Sequence, residues 1–300
     1  MIASHHMNQR VNKCLRLWNI FSPYSIKQRT DFQLLLERLT MSYSTHTERT
    51  EQSTRQQVIS KASVVDIKKL SDTVKGLTLK VAENSHFIFK PGQWVDFFAP
   101  GVSVVGGFSI CSSPSQLHSH RSFELAVKYS THPPAHWVHT KCKPGDEVQV
   151  RVGGDFHYIK QKGCKDDLLL IAGGVGINPL WSMMQFVCEE KHTGNISLLY
   201  SASTQEELLF KDSISTLCEK NPSVTCKFFV TKEKLERDMI DKYTQTGRIT
   251  EDSLRSAISD KDRSTLRVLL CGPPNMTQFL LDNLVNLGLE SSQIKFEKWW

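Results

Sequence analysis

The sequence predicts a two-domain chain: an antiparallel β-barrel followed by an α/β domain with a parallel sheet. Three observations carry this. Residues 58–160 hold short segments of alternating apolar and polar residues separated by turn signals. After Asp166 the texture changes to nearly continuous apolar runs alternating with helical periodicity. The chain has 300 residues, 39% apolar and 23% charged, enough for more than one core. The expected division is a leader and linker over 1–57, a barrel over 58–160, and an α/β domain over 166–300.

The leader comes first. Arg10, Lys13, Arg16, Lys27 and Arg29 precede the first acid, Asp31, so most of the net charge of +6 sits on this segment. A nucleic-acid binder keeps its basic excess on the folded part, so that class of partner is not expected. Val11, Cys14, Leu15 and Trp18 fall at helix-like spacing, and the acid-free, Ser-bearing composition fits a mitochondrial presequence. The alternative is a secretory signal, but Arg16 and Lys13 interrupt the apolar centre that one requires. Residues 41–58, "MSYSTHTERTEQSTRQQV", are polar, lack periodicity and read as linker. No run approaches the ~18 apolar residues of a bilayer span.

The barrel strands read as "ASVVDIKKL", "VKGLTLKVA", "QWVDFFA", "FELAVKYS" and "EVQVRV". "KPGQ" at 90–93 and "KPGDE" at 143–147 are turns, since Pro presets φ and Gly accepts the positive φ that follows. Beyond them come strand "LLLIAG", a helix at 179–190, strand "NISLLYSAS", a helix around 206–219, strand "TCKFFVT", a helix near 250–258, strand "LRVLLCG" and helix "NMTQFLLDNLVNLG". Alternation of this kind implies a parallel sheet covered on both faces. The eight cysteines contain no C-x-x-C pair, so neither a metal site nor a disulfide framework is expected.

The first α/β turn carries the chemistry. In "AGGVGINP", Gly173, Gly174 and Gly176 permit a tight turn and close approach to a ligand. Asn178 suits an N-cap and Pro179 a first helical position. Leu180, Met183, Met184, Val187 and Cys188 then give the helix one apolar face. Unpaired amides at such a helix start suit a pyrophosphate. An ordinary tight turn uses the same glycines. A P-loop would need G-K-[ST], which does not follow. The usual dinucleotide fingerprint places an acid ~20 residues on, at the end of the second strand. Here that strand ends Tyr200-Ser201-Ala202-Ser203, with no acid before Glu206.

The ordered landmarks "KPGQWV" (90–95), "GGFSICSSP" (106–114), "KPGDEVQV" (143–150), "AGGVGINPL" (172–180), "YSAS" (200–203), "GRIT" (247–250), "CGPPNM" (271–276) and the aromatic tail "FEKWW" span roughly 58–300. As a set they resemble the ferredoxin–NADP reductase-like oxidoreductases. The resemblance implies a flavin on the barrel, a nicotinamide nucleotide on the α/β domain and hydride transfer across the cleft. It places the pyrophosphate on Gly173, Gly174, Val175, Gly176, Ile177, Asn178 and Pro179, and the adenosine ribose beside Ser201 and Ser203. Cys271 would lie near the reacting nicotinamide carbon, with Gly272 and Pro273 as floor. Phe108 would stack on the flavin and Ser109 would bond near its N5. Trp300 would cover a ring at the tail. No Arg stands at Ser203-Thr204 and acids stand at Glu206 and Glu207, so NADH is expected over NADPH.

The pattern breaks at the flavin phosphates. The family's R-x-Y-S is here Gly106-Gly107-Phe108-Ser109, and its G-x-x-S turn is replaced within "STHPPAHWVH". Pro133 and Pro134 have no N–H to donate. Lys128, His132, His136 and Arg151 stand as substitute cations. FAD is therefore a possible cofactor and NAD the expected one. The functional expectation is an NAD(P)H- and flavin-type electron-transfer oxidoreductase with an unidentified acceptor. The alternatives are a redox-inactive NAD(H)-binding sensor or partner-binding module, and a dehydrogenase whose barrel takes an organic substrate.

Overall fold

The computed structural model describes residues 45–160, 165–234 and 241–298. The leader reading and Trp300 lie outside them. His46–Arg49 is a single helical turn in a unit of its own, closed by a capping box between Thr45 and Glu48. From Gln52 onward the chain forms one compact unit holding both expected layers.

Six strands make the barrel: β1 (Ser60–Lys69), β2 (Val74–Val81), β3 (Trp94–Phe98), β4 (Gly106–Ser109), β5 (Ser122–Lys128) and β6 (Glu147–Gly153). Their order is β4-β3-β6-β1-β2-β5, with antiparallel pairing throughout. Two contacts just beyond β4 close the sheet on itself: a bridge from Ile110 to Leu125, and a 2.9 Å bond from Cys111 N–H to Glu124 O. Closure removes the edges that would otherwise invite pairing with other chains. Inward-facing Val64, Leu77, Leu79, Val95, Phe97, Leu125 and Val150 fill the barrel. Gly92 and Gly145 of the two Pro-Gly turns take the expected positive φ. Two short helices not read from sequence flank β5: α1 (Pro114–His120) and α2 (Pro133–Thr140).

Part of the expected linker is barrel. Gln56 N–H bonds Val152 O, and Arg55 bridges Gly153 and pairs with buried Asp96 at 3.0 Å. Arg151 meets the same carboxylate at 2.7 Å.

The second layer contains β7 (Leu168–Gly173), α3 (Ile177–Glu189), β8 (Ile196–Ala202), α4 (Lys211–Lys220), β9 (Val224–Val230), β10 (Thr244–Thr246), α5 (Glu251–Ile258), β11 (Arg267–Gly272), α6 (Pro274–Asn286) and β12 (Ile294–Lys298). The sheet is parallel, ordered β10-β9-β8-β7-β11-β12. The order reverses between β7 and β11, the switch point at which ligands collect outside the carboxyl ends of such strands. Of the expected aromatic tail, Phe296, Glu297 and Lys298 belong to β12, whose Lys298 ends beside Gly272.

α3 joins the layers because it carries two faces. Ile177, Leu180, Met184 and Val187 enter the core shared with Leu170, Ala172 and Cys271. Asn178, Ser182, Gln185 and Glu189 recur at helical spacing along another stripe. The stripe meets the barrel: Asn178 Nδ2–H donates to Ala126 O (2.8 Å), Ser182 Oγ–H to Ser112 O (2.6 Å) and Gln185 Nε2–H to Cys111 O (2.8 Å), and Ser113 Oγ–H donates to the Glu189 carboxylate. Truncating Ser182 to Ala leaves the Ser112 carbonyl buried without that donor. Chemical denaturation is expected to register a loss of about 1–3 kcal/mol, and the Asn178→Ala loss should be of the same size.

Candidate functional site

β7 delivers the glycine turn to the switch point. One 3₁₀ turn, Gly174–Gly176, precedes α3. Gly174 sits at φ +54, a left-handed conformation that costs an L-residue roughly 1–2 kcal/mol, and no protein atom lies within 4 Å of where its Cβ would be. That open side is where a ligand can approach the backbone. Gly176 is constrained in the opposite sense: a Cβ there would lie 2.3 Å from Cys271 O. A Cβ on Gly173 would strike Met276 and Pro273 at 2.6 and 2.8 Å. The turn and the segment Cys271–Met276 are therefore backbone against backbone, and they bring "AGGVGINP" and "CGPPNM" into one site.

The early turn corrects the capping assignment. The N-cap is Gly176, with no side-chain cap bond, and Asn178 lies inside the first helical turn. Its Nδ2 is spent on the barrel and its Oδ1 is buried without a partner among the described residues, so at the surface of this stretch it is the backbone that can meet a ligand. Ile177, Asn178 and Pro179 are buried, leaving Gly174 and Val175 half-buried at the opening. The first amides of a helix have no intrahelical partners, and with the positive helix end they can receive a diphosphate.

The remaining expected residues fall around this point. Ser201 is paired with Gly173 across the β7–β8 ladder, and Ser203 follows where β8 ends. Cys271 is fully buried in the apolar core, and burial pushes its thiol well above the usual range. It can shape the floor but is neither an exposed nucleophile nor an acid. Gly272 and Pro273 stand at the end of β11 and the start of α6. Sequence reasoning missed Lys232, an exposed cation whose N–H bonds Ser203 O at 2.9 Å. It comes beside Ser203 only through the β8–β9 pairing, so no local motif marks it.

Glu206 and Glu207, expected to discourage a 2′-phosphate, are instead turned to the barrel. Glu207 accepts from Thr73 (2.6 Å), Ser71 (2.8 Å) and Lys128 (3.1 Å) of the barrel, and Glu206 accepts from Asp72 N–H at 3.1 Å. Buried Tyr200 shapes the turn, its Oη donating to Glu207 O and accepting from Leu209 N–H. Phe210 then takes φ 61, which delays α4 to Lys211. Burial raises the Glu207 carboxyl, but the bonds from Thr73, Ser71 and Lys128 outweigh it and hold the group below its ordinary value.

The barrel side offers a flavin dinucleotide little of the expected grip. At Gly106 a Cβ would lie 2.8 Å from Pro134 Cβ and 3.0 Å from the Phe108 ring. The place of the phosphate-gripping Arg is thus filled by α2 packed against β4. Phe108 is half-buried, edge-on to Phe97 at 5.3 Å, and Ser109 is buried. Two of the substitute cations are engaged, Lys128 by Glu207 and Arg151 by Asp96. These residues do not fit a flavin diphosphate held in the family's way. Among the described residues no cluster suits a metal ion, and no helix is long and apolar enough to cross a membrane.

Comparison with known proteins agrees with this geometry. Residues 170–282 match the oxidoreductase NAD-binding domain model. A Danio rerio protein, oxidoreductase NAD-binding domain-containing protein 1, is 46% identical over 266 residues, covering 85% of this chain and 97% of the relative. The chain belongs to that family. The sulfhydrogenase 2 subunit gamma of Pyrococcus furiosus is 30% identical, covering 78% of this chain and 81% of that one. A Neisseria gonorrhoeae ferredoxin NADP+ reductase with bound FAD and NADP shares the fold with a TM-score of 0.68 at 18% identity, covering 82% of this chain and all of the other. The chain thus has a ferredoxin-reductase-like fold and a nicotinamide-nucleotide-binding domain of the oxidoreductase type.

Two predictions follow from the site. Gly176→Ala should destabilise by several kcal/mol, since backbone must move, whereas Gly174→Ala should cost only about 1–2 kcal/mol; thermal melts of the two variants make the comparison. For Glu207 the folded carboxyl is held low, so its contribution is present above the unfolded value of about 4.3 and is lost as pH falls through the folded one. Glu207→Gln should therefore cost about 1 kcal/mol at neutral pH, and the gap should narrow in unfolding curves taken at successively lower pH below the unfolded value.

Proposed function

We propose that this chain is an NAD(P)H-dependent oxidoreductase that takes hydride from a reduced nicotinamide held between the glycine turn and Cys271–Pro273. One observation supports this above the others: the Gly173–Gly176 and Cys271–Met276 backbones meet at the sheet's switch point, with the barrel docked beside them through α3. In this reading the amides at Gly174–Gly176 hold the diphosphate. Ser201 and Ser203 flank the ribose, and Gly272 and Pro273 support the nicotinamide. Ser109 of the barrel faces the acceptor. The residues contribute position and exclusion of water, since the nucleotide supplies the hydride. NADH is oxidised to NAD+, and the acceptor takes up the two electrons and the proton.

NADH is favoured over NADPH because no Arg stands at Ser203-Thr204. With Glu206 and Glu207 turned to the barrel, that preference no longer rests on acids, and Lys232 is the cation that would reverse it. The filled cleft at Gly106 and Pro134 supports an acceptor that enters and leaves rather than a resident flavin dinucleotide. The same observation favours a second reading, a nucleotide-binding module without turnover. The acid-free leader supports a mitochondrial location, which a reporter fused to residues 1–57 would test.

Purified full-length protein separates the readings. The oxidoreductase reading expects a colourless preparation that oxidises NADH faster than NADPH when a hydride acceptor, free FMN or free FAD, is added. Nucleotide binding without oxidation in the presence of either acceptor would leave only the module, and a preference for NADPH abolished by Lys232→Ala would overturn the cofactor choice.

A further inference from the structure

The end of the parallel sheet opposite the nucleotide turn carries a second cavity. Helices ordinarily cover both faces of such a sheet with apolar side chains. α5 does this through Leu254 and Ile258, which share a core with Leu199 and Phe229. But α5 has only eight residues, and toward the N-terminal ends of β8 and β9 the sheet face turns polar. Ser197 Oγ lies 3.0 Å from Thr225 Oγ1, and exposed Lys227 follows on the same face. The result is a pocket of about 350 Å³, with these residues as floor and Ser253, Ser256 and Lys261 in its wall.

Lys261 is the unusual member. Its side chain is only 4% exposed, and its ion-pair contact among the described residues is Asp260 Oδ1 at 3.6 Å, on a side chain that is 76% exposed. That separation is longer than a hydrogen bond, and a carboxylate so exposed interacts weakly. The stem of Lys261 is thus covered, while its ammonium opens on a space rimmed with hydroxyls and the Asp260 carboxylate. We infer that the pocket binds a small oxyanion, a phosphate or carboxylate group, at a subsite separate from the nucleotide turn. Lys261 supplies a charge on a covered stem and Lys227 a second cation at the mouth. The hydroxyl of Ser256 and one hydroxyl of the Ser197–Thr225 pair, whose other member donates within the pair, donate to the oxygens. Along β8, Ser197 stands four residues, about 13 Å, from Ser201, toward the end of the strand opposite the nucleotide turn. The volume lies at the small end of ligand pockets, roughly 300–1,000 Å³, and suits a phosphorylated or dicarboxylic metabolite.

The test titrates the full chain separately with inorganic phosphate and with succinate, by calorimetry, and maps hydrogen exchange on the peptides containing 223–227 and 253–261. At least one anion should bind and slow exchange in both peptides without affecting 173–177. Lys261→Met, which keeps the apolar stem, should weaken that binding at least tenfold, and Ser256→Ala should weaken it several-fold; the Ser256 variant carries the test if Lys261→Met does not fold. A response to phosphate alone identifies a phosphate ester as the ligand class, and to succinate alone a carboxylate. Absence of protection with both anions, or unchanged affinity in the folded variants, overturns the inference.

Discussion

The close approach of Gly176 to the carbonyl of Cys271 is the contact on which the rest depends. Two parallel strands that diverge at a switch point leave a crevice, and its width is set by what their following loops can tolerate. Here one loop offers no side chain at three of four positions, and the other begins with Gly272 and Pro273, so the two backbones close to van der Waals contact. Amides and a helix start are thereby fixed where charge can be received, without any side chain supplying it. The fully buried Cys271 is understandable in the same terms: a small apolar body fits beneath the turn where a larger one would push the loops apart.

The second constraint is the fixed relation between the barrel and this crevice. α3 reads as an apolar helix, yet its polar stripe is buried at Asn178 and Ser182 and reaches carbonyls of the segment after β4 and of β5. The Glu207 contacts secure the opposite flank, directly after the ribose-side residues. A nucleotide at the turn would therefore meet a barrel already positioned, with little reorganisation needed to form the cleft.

Much of this was legible in the sequence. β7 was read with its observed bounds because a fully apolar strand ending in glycines has sharp limits. The Pro-Gly turns and the alternating barrel strands follow from local chemistry too. What escaped depended on distant partners. Asn178 looked like a cap because its type and position suit one, and only Ala126, 52 residues away, reveals its use. Glu206 and Glu207 looked like ribose-side acids until the β1–β2 turn was seen to engage them. Gly106 read as a missing Arg, while the structure adds that Pro134 fills the space. β12 was hidden because an edge strand of mixed polarity has no distinctive period.

Hydrogen exchange of the intact protein with and without NADH probes the central claim most directly. Nucleotide should slow exchange at the amides of Gly174–Ile177 and in the segment following Cys271, together and saturably, while the far side of the barrel is unchanged. Saturating NADH or NADPH that leaves those amides exchanging as in the free protein would contradict the account.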